Sequence, residues 1–240
     1  MSHFSPAVTD YWRGRFGRGT VAHSDDNFQL AVHSGLDGDE DEQLMVLVTV
    51  GGKTSVILSP DLADRVRIID GQVISESDFR SGLDGADMAL HGADNLFYFT
   101  DDARDALIAE PPIGDIRRLT AADDAIFTAF ESVASEQDLD NSQVELDHWA
   151  VFGSFDNGRL VAAASIYQWY EAPIMDLGVV TLPRFRGQGH AKRLVRTAFR
   201  YACAQGYEPQ YRCQVSNEAS SALAPAAGLT LFGTLDVIAD

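Results

Sequence analysis

MDLGVVTLPRFRGQGHAKRL, residues 175–194, joins an apolar run, a proline, a turn with two glycines and the first residues of a helix. From Ile174 to Thr181 the only polar side chains are Asp176 and Thr181, which is the composition of a buried strand, and Pro183 ends it. Beyond the turn, at about 100 degrees per residue, Ala191, Leu194, Val195, Ala198 and Ala202 share one helix face, with Lys192, Arg193, Arg196 and Arg200 opposite. That pattern predicts one face packed on a sheet and the other wet. A helix starting here leaves the amides of its first turn without partners, and its dipole favours negative charge. Residues 187–191 can then present several N–H donors to a phosphate or pyrophosphate, and Gly187 and Gly189 admit an anion that a side chain would hold away. A plain turn uses the same glycines, so spacing alone leaves both readings open.

Charge narrows the ligand. The chain of 240 residues has a formal net charge of -18, which opposes a polyanionic backbone and argues against nucleic acid as a partner. Between Arg184 and Arg212 the sign reverses, with seven Lys or Arg against the single acid Glu208. A local basic site in an acidic protein fits a compact anion, while a solvated charged helix face is the plainer alternative. A nucleoside-triphosphate loop needs G-x-x-x-x-G-K-S/T, and a dinucleotide fingerprint needs glycine where Lys192 stands. Neither fits.

Other classes fall away on composition. Cys203 and Cys213 form neither a disulfide framework nor a metal-ligand spacing. His190 lacks spaced partner ligands, and the acidic run DGDEDEQ from Asp37 to Gln43 lacks the ordered positions of a calcium loop, so no metal is expected. The N-terminal MSHFSPAVTDYWRGRF has no long apolar run, and no stretch approaches the roughly 18 apolar residues of a membrane span. A cytoplasmic protein without membrane partners is the expectation.

The composition breaks at AEPPIGDIRR, where Pro111 and Pro112 close a helix over about Asp101 to Ile108. We therefore expect two domains: a small α+β domain of unassigned role over 1–110, and a second domain over 113–240. In the first, EQLMVLVTV and TSVILSP read as a hairpin around Gly51-Gly52, followed by VRIIDGQVI, a variable acidic and glycine-rich stretch, and the strand-like NLFYFT. In the second, IRRLT is a strand, a helix runs from Thr120 through Phe130, and another is expected from Asn141 to Trp149. VFGSFDNGRLVAAASIY turns at Asp156-Asn157-Gly158, Gly206 stops the helix after the glycine turn, YRCQV is a strand, NEASSALAPAAG a short helix and LTLFGTLDVI a closing strand.

These residues carry a family resemblance. Arg184-x-x-Gly187-x-Gly189-His190-Ala191, after the strand Leu177 to Thr181, resembles the acyl-CoA pyrophosphate loop of the GCN5-related N-acetyltransferase (GNAT) family. Asn217-x-x-Ser220-x-x-Leu223, with Ala227-Gly228-Leu229, is similar to that family's second cofactor-side segment, which usually ends in Gly-Phe. The resemblance covers about 116–237 and implies an α+β fold: a mixed sheet flanked by helices and splayed between Leu177–Thr181 and Gln210–Val215. It implies acetyl-CoA (coenzyme A) as cofactor, its pantetheine arm along Val179, Val180 and Thr181, its pyrophosphate on Arg186, Gly187, Gln188, Gly189, His190 and Ala191, with Arg184, Asn217 and Ser220 also on the cofactor side. Residues 1–110 lie outside it; a degenerate copy of the same fold, or a dimerising extension giving a homodimer, suits their size.

The implied chemistry is direct attack of a neutral amine, small molecule or peptide, on the thioester without an acyl-enzyme. A base must accept a proton and donors must stabilise the developing oxyanion. Many members place a tyrosine just after the position of Leu223 to protonate the leaving thiolate; here Ala224 and Pro225 follow. Water can serve, since a thiol of pKa about 8.5 leaves readily, or Tyr201 or Tyr211 can reach the site. Glu145 and Asp176 are the candidate bases, and each also reads as a surface or capping carboxylate. His148 is expected on the same helix face as Glu145, and Trp169 and Tyr170 read as either a substrate rim or a core edge. The readings left are an N-acetyltransferase and a catalytically silent CoA-binding or protein-interaction module.

Overall fold

The computed structural model describes residues 3–36, 43–68, 74–112, 114–170 and 172–239. The chain forms two compact units, each assembled from separate segments. The C-terminal unit takes Met1–Val8, Tyr98–Arg212 and Ala222–Thr230; the N-terminal unit takes Thr9–Phe97, Cys213–Ser221 and Leu231–Asp240. This division does not follow the proline pair at Pro111-Pro112, because the chain's last strand pairs within the N-terminal unit.

In the N-terminal unit the strands are β1 (Thr20–Ser24), β2 (Phe28–Val32), β3 (Leu44–Thr49), β4 (Thr54–Leu58), β5 (Asp94–Tyr98) and β11 (Thr230–Val237), in the order β1-β2-β4-β3-β11-β5. The β3–β4 hairpin forms as its sequence requires, with Gly52 at φ 81, and Leu235 of β11 pairs with Leu47 of β3. Phe28, Leu30, Leu44, Val46, Val56 and Leu58 fill its core. Three helices went unread here: α1 (Pro6–Phe16), α2 (Pro60–Arg65) and α3 (Glu76–Gly85). Ser59 and Ser75 cap α2 and α3, Ser75 through a reciprocal box with Asp78. Val66 and Arg67 of VRIIDGQVI form a turn after α2, while residues 69–73, like the acidic run 37–42, lie outside the described residues.

The C-terminal unit opens with α4 (Asp101–Ile108), whose bounds match the expectation. β6 (Ile116–Leu119), β7 (Ala150–Asp156), β8 (Arg159–Gln168) and β9 (Ile174–Thr181) form an antiparallel run, and β10 (Glu208–Gln214) joins β9 in parallel, giving a mixed sheet flanked by helices. Asn157 at φ 48 and Gly158 at φ 80 make the β7–β8 turn. Ala162, Ala163 and Ala164 are fully buried in β8, and side chains this short let helices close on the strand. α5 (Asp124–Glu131) adds Phe127 and Phe130 to a core with Leu119, Val151 and Val180.

The helix expected over Asn141–Trp149 is displaced. α6 is Glu136–Ser142: the Ser135 hydroxyl accepts from the Asp138 amide at 3.1 Å, and Gln143 at φ 48 terminates it. Glu145 and His148 therefore lie on a loop. α6 ends against Gly178 in β9, where an added Cβ would stand 1.9 Å from the Ser142 carbonyl oxygen. No ordinary side chain fits.

α7 (His190–Ala204) buries Leu194, Val195, Ala198, Phe199 and Ala202, and Gly206 at φ 86 follows it. Its basic face is less wet than its pattern suggests. Arg196 is bound to the Glu110 carboxylate and the Ala227 carbonyl, and Arg200 donates to the Glu110 carbonyl at 2.6 Å. α8 (Glu218–Ala226) ends before Gly228 at φ 98.

Two outcomes follow. Gly178→Ala should lower the unfolding free energy by about 1–3 kcal/mol through overpacking, and an unchanged urea midpoint would show that Ser142 yields freely. A fragment of residues 113–240 removes β3, the partner of β11, and should aggregate on expression by exposing that apolar strand; a soluble, monomeric fragment would contradict this.

Candidate functional site

β9 and β10 share two rungs, Glu208 with Ile174 and Pro209 with Met175. The Glu208 amide donates to the Pro173 carbonyl at 2.9 Å, so Glu208 turns its backbone groups towards β9 and Pro209 turns its nitrogen away; beyond Met175 no β10 residue pairs with β9 among the described residues. On its other edge β9 stays paired with β8 through Thr181. The strands thus part after the second rung, leaving one edge of Leu177–Thr181 without a partner strand among the described residues. The fork lies where the family resemblance implies a splay, with Asp176 and Gln210 as the first residues past it.

At the far end of β9, after a 3-10 turn at Pro183–Phe185, the chain passes through Gly187 at φ 74 and Gly189 at φ 80 into α7. Both glycines occupy the left-handed region that side chains avoid. A Cβ on Gly187 would meet nothing within 4 Å, so the space beside it is open. Among the described residues, the backbone N–H groups of Gly187, Gln188, Gly189, His190, Ala191 and Lys192 have no hydrogen-bond acceptor. Gly189 caps α7 without a side-chain oxygen, which leaves that cluster of donors to a ligand or to water.

The surrounding cations divide into held and free. Arg186 donates to the Thr181 carbonyl at 3.2 Å and to Asp138 at 2.7 Å. Arg193 reaches the Gln188 carbonyl at 3.2 Å and Asp115 at 3.1 Å, bracing the turn from below. Gln188 donates to the Arg184 carbonyl at 3.1 Å. Arg184 and Lys192 are exposed and form no ion pair among the described residues. The Thr181 hydroxyl oxygen is buried without a partner.

His190 does not face outward on the turn. Its ring is buried, edge-on to Phe185, and its Nδ1 lies 2.9 Å from the Ser154 hydroxyl and 3.1 Å from the Arg193 guanidinium. A guanidinium only donates, so Nδ1 accepts and the proton sits on Nε2. Burial, then the Arg193 charge, hold the imidazole below its ordinary range.

Asp176 is 1% exposed and bound by Arg212 at 3.1 Å, by the Tyr167 hydroxyl and by its neighbouring Leu177 amide at 2.9 Å. Burial, then the Asp176 carboxylate, push the Tyr167 hydroxyl well above its usual range, so it stays protonated and donates. The Arg212 guanidinium lies 4.7 Å over the Trp169 ring, making Trp169 a buried prop while Tyr170, at φ 48, is exposed. Glu145 is exposed, 3.8 Å from His148, whose Nδ1 meets the buried Ser165 hydroxyl at 2.8 Å. Of the two candidate bases, Glu145 is exposed beside His148 and Asp176 is buried in an ion pair with Arg212.

The remaining candidates are dispersed. Val179, Val180 and Thr181 lie on the unpaired edge of β9. Asn217 and Ser220 begin α8, where the Asn217 side chain accepts from the Ser220 amide at 3.0 Å as a cap. Tyr201 accepts a hydrogen bond from Arg118 at 3.1 Å, Tyr211 is 2% exposed and Ala224 is fully buried. Sequence reasoning missed Gly178, Gln210 and Tyr167, whose roles depend on neighbours from other strands. It also missed a cavity of about 380 Å³ in the N-terminal unit, bordered by Thr20, His33, Ser34 and Asp64.

The His190 environment sets a pH dependence. The unfolded chain protonates this ring near pH 6.5, roughly the free value, whereas the folded chain does so only at lower pH. Stability linked to His190 is therefore complete above the unfolded value and lost as pH falls towards the folded one. Urea unfolding at about pH 7.5 and about pH 5 should show a larger fall for the parent than for His190→Gln; equal falls would contradict the assignment.

Residues 118–228 match the model of the acetyltransferase (GNAT) family. No curated protein matches the chain. Among solved structures, a GNAT-family acetyltransferase from Colwellia psychrerythraea is similar over 98% of this chain and 96% of its own, at 16% identity and a TM-score of 0.53. A GNAT-family protein from Novosphingobium aromaticivorans DSM 12444 is similar at 19% identity and a TM-score of 0.46, over 63% of this chain and 66% of its own. A GCN5-related N-acetyltransferase from Sphaerobacter thermophilus gives 14% and 0.46, over 73% and 62%. This chain thus spans less than two thirds of those last two proteins. The C-terminal region of the chain, with its forked parallel strands and glycine turn, carries the GNAT acetyltransferase fold.

Proposed function

We propose that the C-terminal unit binds acetyl-CoA and moves its acetyl group to an amine. The observation that carries this reading is the fork between β9 and β10 with a cluster of unpaired amides at the end of β9. The residues fit the group: Gly187 leaves the space beside it open, Arg184 and Lys192 are available cations, and the Thr181 hydroxyl lacks a partner. The amides of residues 187–191 and the Arg184 side chain hold the pyrophosphate, with Arg186 and Arg193 bracing the turn through Asp138 and Asp115. The free edge of Val179, Val180 and Thr181 pairs with the pantetheine amides.

Acetyl-CoA supplies an activated acyl group. Glu145, exposed and beside His148, takes the proton released by the incoming amine as the nitrogen–carbon bond forms and the carbon–sulfur bond breaks. Asp176 acts as a fixed charge that positions Arg212 and Tyr167 at the fork. Water protonates the leaving sulfur, since Ala224 stands where a tyrosine would serve.

Ala224 also favours a second reading, a CoA-binding or protein-interaction module without turnover. The N-terminal unit is assigned a role in acceptor choice or in homodimer formation. A parallel pair, β2 with β4, beside the antiparallel β4–β3–β11 run, echoes the parallel β9–β10 pair beside its own antiparallel run and supports descent from a copy of the same fold. Among the described residues no helix is long and apolar enough to cross a membrane.

Calorimetry and thiol release test the reading together. The parent should bind acetyl-CoA and release CoA thiol with at least one member of a panel of amines, amino acids, polyamines and peptides. Gly189→Glu should weaken acetyl-CoA by more than about tenfold with an unchanged circular dichroism spectrum, by placing a carboxylate against the anion. An unaltered dissociation constant would remove the turn from the cofactor site, and binding without thiol release would select the silent module.

A further inference from the structure

Two polar side chains mark the level at which β9 and β10 separate. Asp176 has its partners in Arg212, Tyr167 and a backbone amide. Gln210, its counterpart on β10, is fully buried; the Tyr98 hydroxyl donates to its Oε1, and its Nε2 has no hydrogen-bond partner. Residues paired in a parallel ladder point to one side and side chains alternate along each strand, so the Glu208–Ile174 rung puts Gln210 on the same face as Asp176. A buried amide donor without an acceptor is unfavourable, and a ligand oxygen is one way to supply it.

The position agrees with the length of the cofactor arm. From Asp176 to Thr181 a strand rises about 16 Å, at about 3.3 Å per residue, a span comparable with an extended pantetheine arm hung from the glycine turn. Its reactive end then arrives at the fork.

We propose that Gln210 Nε2 donates to the carbonyl oxygen of the thioester and so recognises the acyl group, with Tyr98 as the positioning residue that holds the amide with its nitrogen free. The inference rests on the acyl-CoA reading of this site. Gln210 keeps its protons throughout and polarises the carbonyl; Tyr98, by occupying Oε1, prevents the amide from turning an acceptor towards it.

Calorimetry with acetyl-CoA and with CoA separates the acyl group from the rest of the molecule. Gln210→Met, close in volume, should weaken acetyl-CoA about five- to tenfold, the worth of one neutral hydrogen bond, and leave CoA unchanged. Tyr98→Phe should move the two affinities in the same unequal way. On the parent protein, acetyl-CoA labelled with carbon-13 at the thioester should show its carbonyl stretch at lower frequency bound than free, a readout that needs no variant. Equal losses for the two ligands, no loss in folded variants, or an unshifted stretch would overturn the role of Gln210 alone. A parent protein that binds neither ligand would overturn the acyl-CoA reading and this inference with it.

Discussion

A strand pair that stops after two rungs governs the C-terminal unit. Parallel strands pair along their length unless their peptide groups are taken elsewhere, and here the Leu177 amide, the next β9 donor on the side facing β10, bonds to the Asp176 carboxylate instead. Past that point the sheet has an interior edge, with peptide groups of β9 facing a gap. Such an edge is unfavourable without a ligand, so the unit's other features act to preserve its shape. Asp176, Arg212, Tyr167 and Trp169 form a connected polar and aromatic support at the fork, and Gly178 lets α6 seat on the strand at a distance that a methyl group would forbid.

Charge has a structural use that net composition conceals. Much of the basic window around α7 is neutralised within the unit: Arg186 by Asp138, Arg193 by Asp115, Arg196 by Glu110. Exposed pairs of this kind contribute little to stability singly, but they fix where long side chains lie. The cations beside the turn thereby brace its backbone, and the amides of residues 187–192 are left without acceptors among the described residues. Arg184 and Lys192, exposed and without an ion pair among the described residues, reach towards solvent.

Much of this was legible in order. The strand from Ile174 to Thr181 and the helix Asp101–Ile108 appear at the bounds read from sequence, because uninterrupted apolar residues and flanking prolines act locally. The turn at Gly187 and Gly189 was legible for the same reason: positive φ at those positions is a property of the residues themselves. The α6 error shows the limit. Ser135 with Asp138 at the third position is a capping pair visible in sequence, yet Asn141 with Glu145 competes with it, and only the left-handed Gln143 decides between them. Short helices carry too little apolar periodicity to settle such a competition.

Sequence by itself determined the strand–turn–helix order, the local reversal of charge and the absence of a tyrosine after Leu223, since each is written in consecutive residues. Tertiary structure decided which carboxylate is exposed and which is buried, that His190 turns inward onto Ser154, and that Gln210 rests fully buried against Tyr98 with its amide nitrogen unpaired. It also decided that the last strand belongs with β3 in the N-terminal unit. Hydrogen bonding and burial at these positions depend on groups tens of residues away, and no local pattern encodes which distant donor will meet which acceptor.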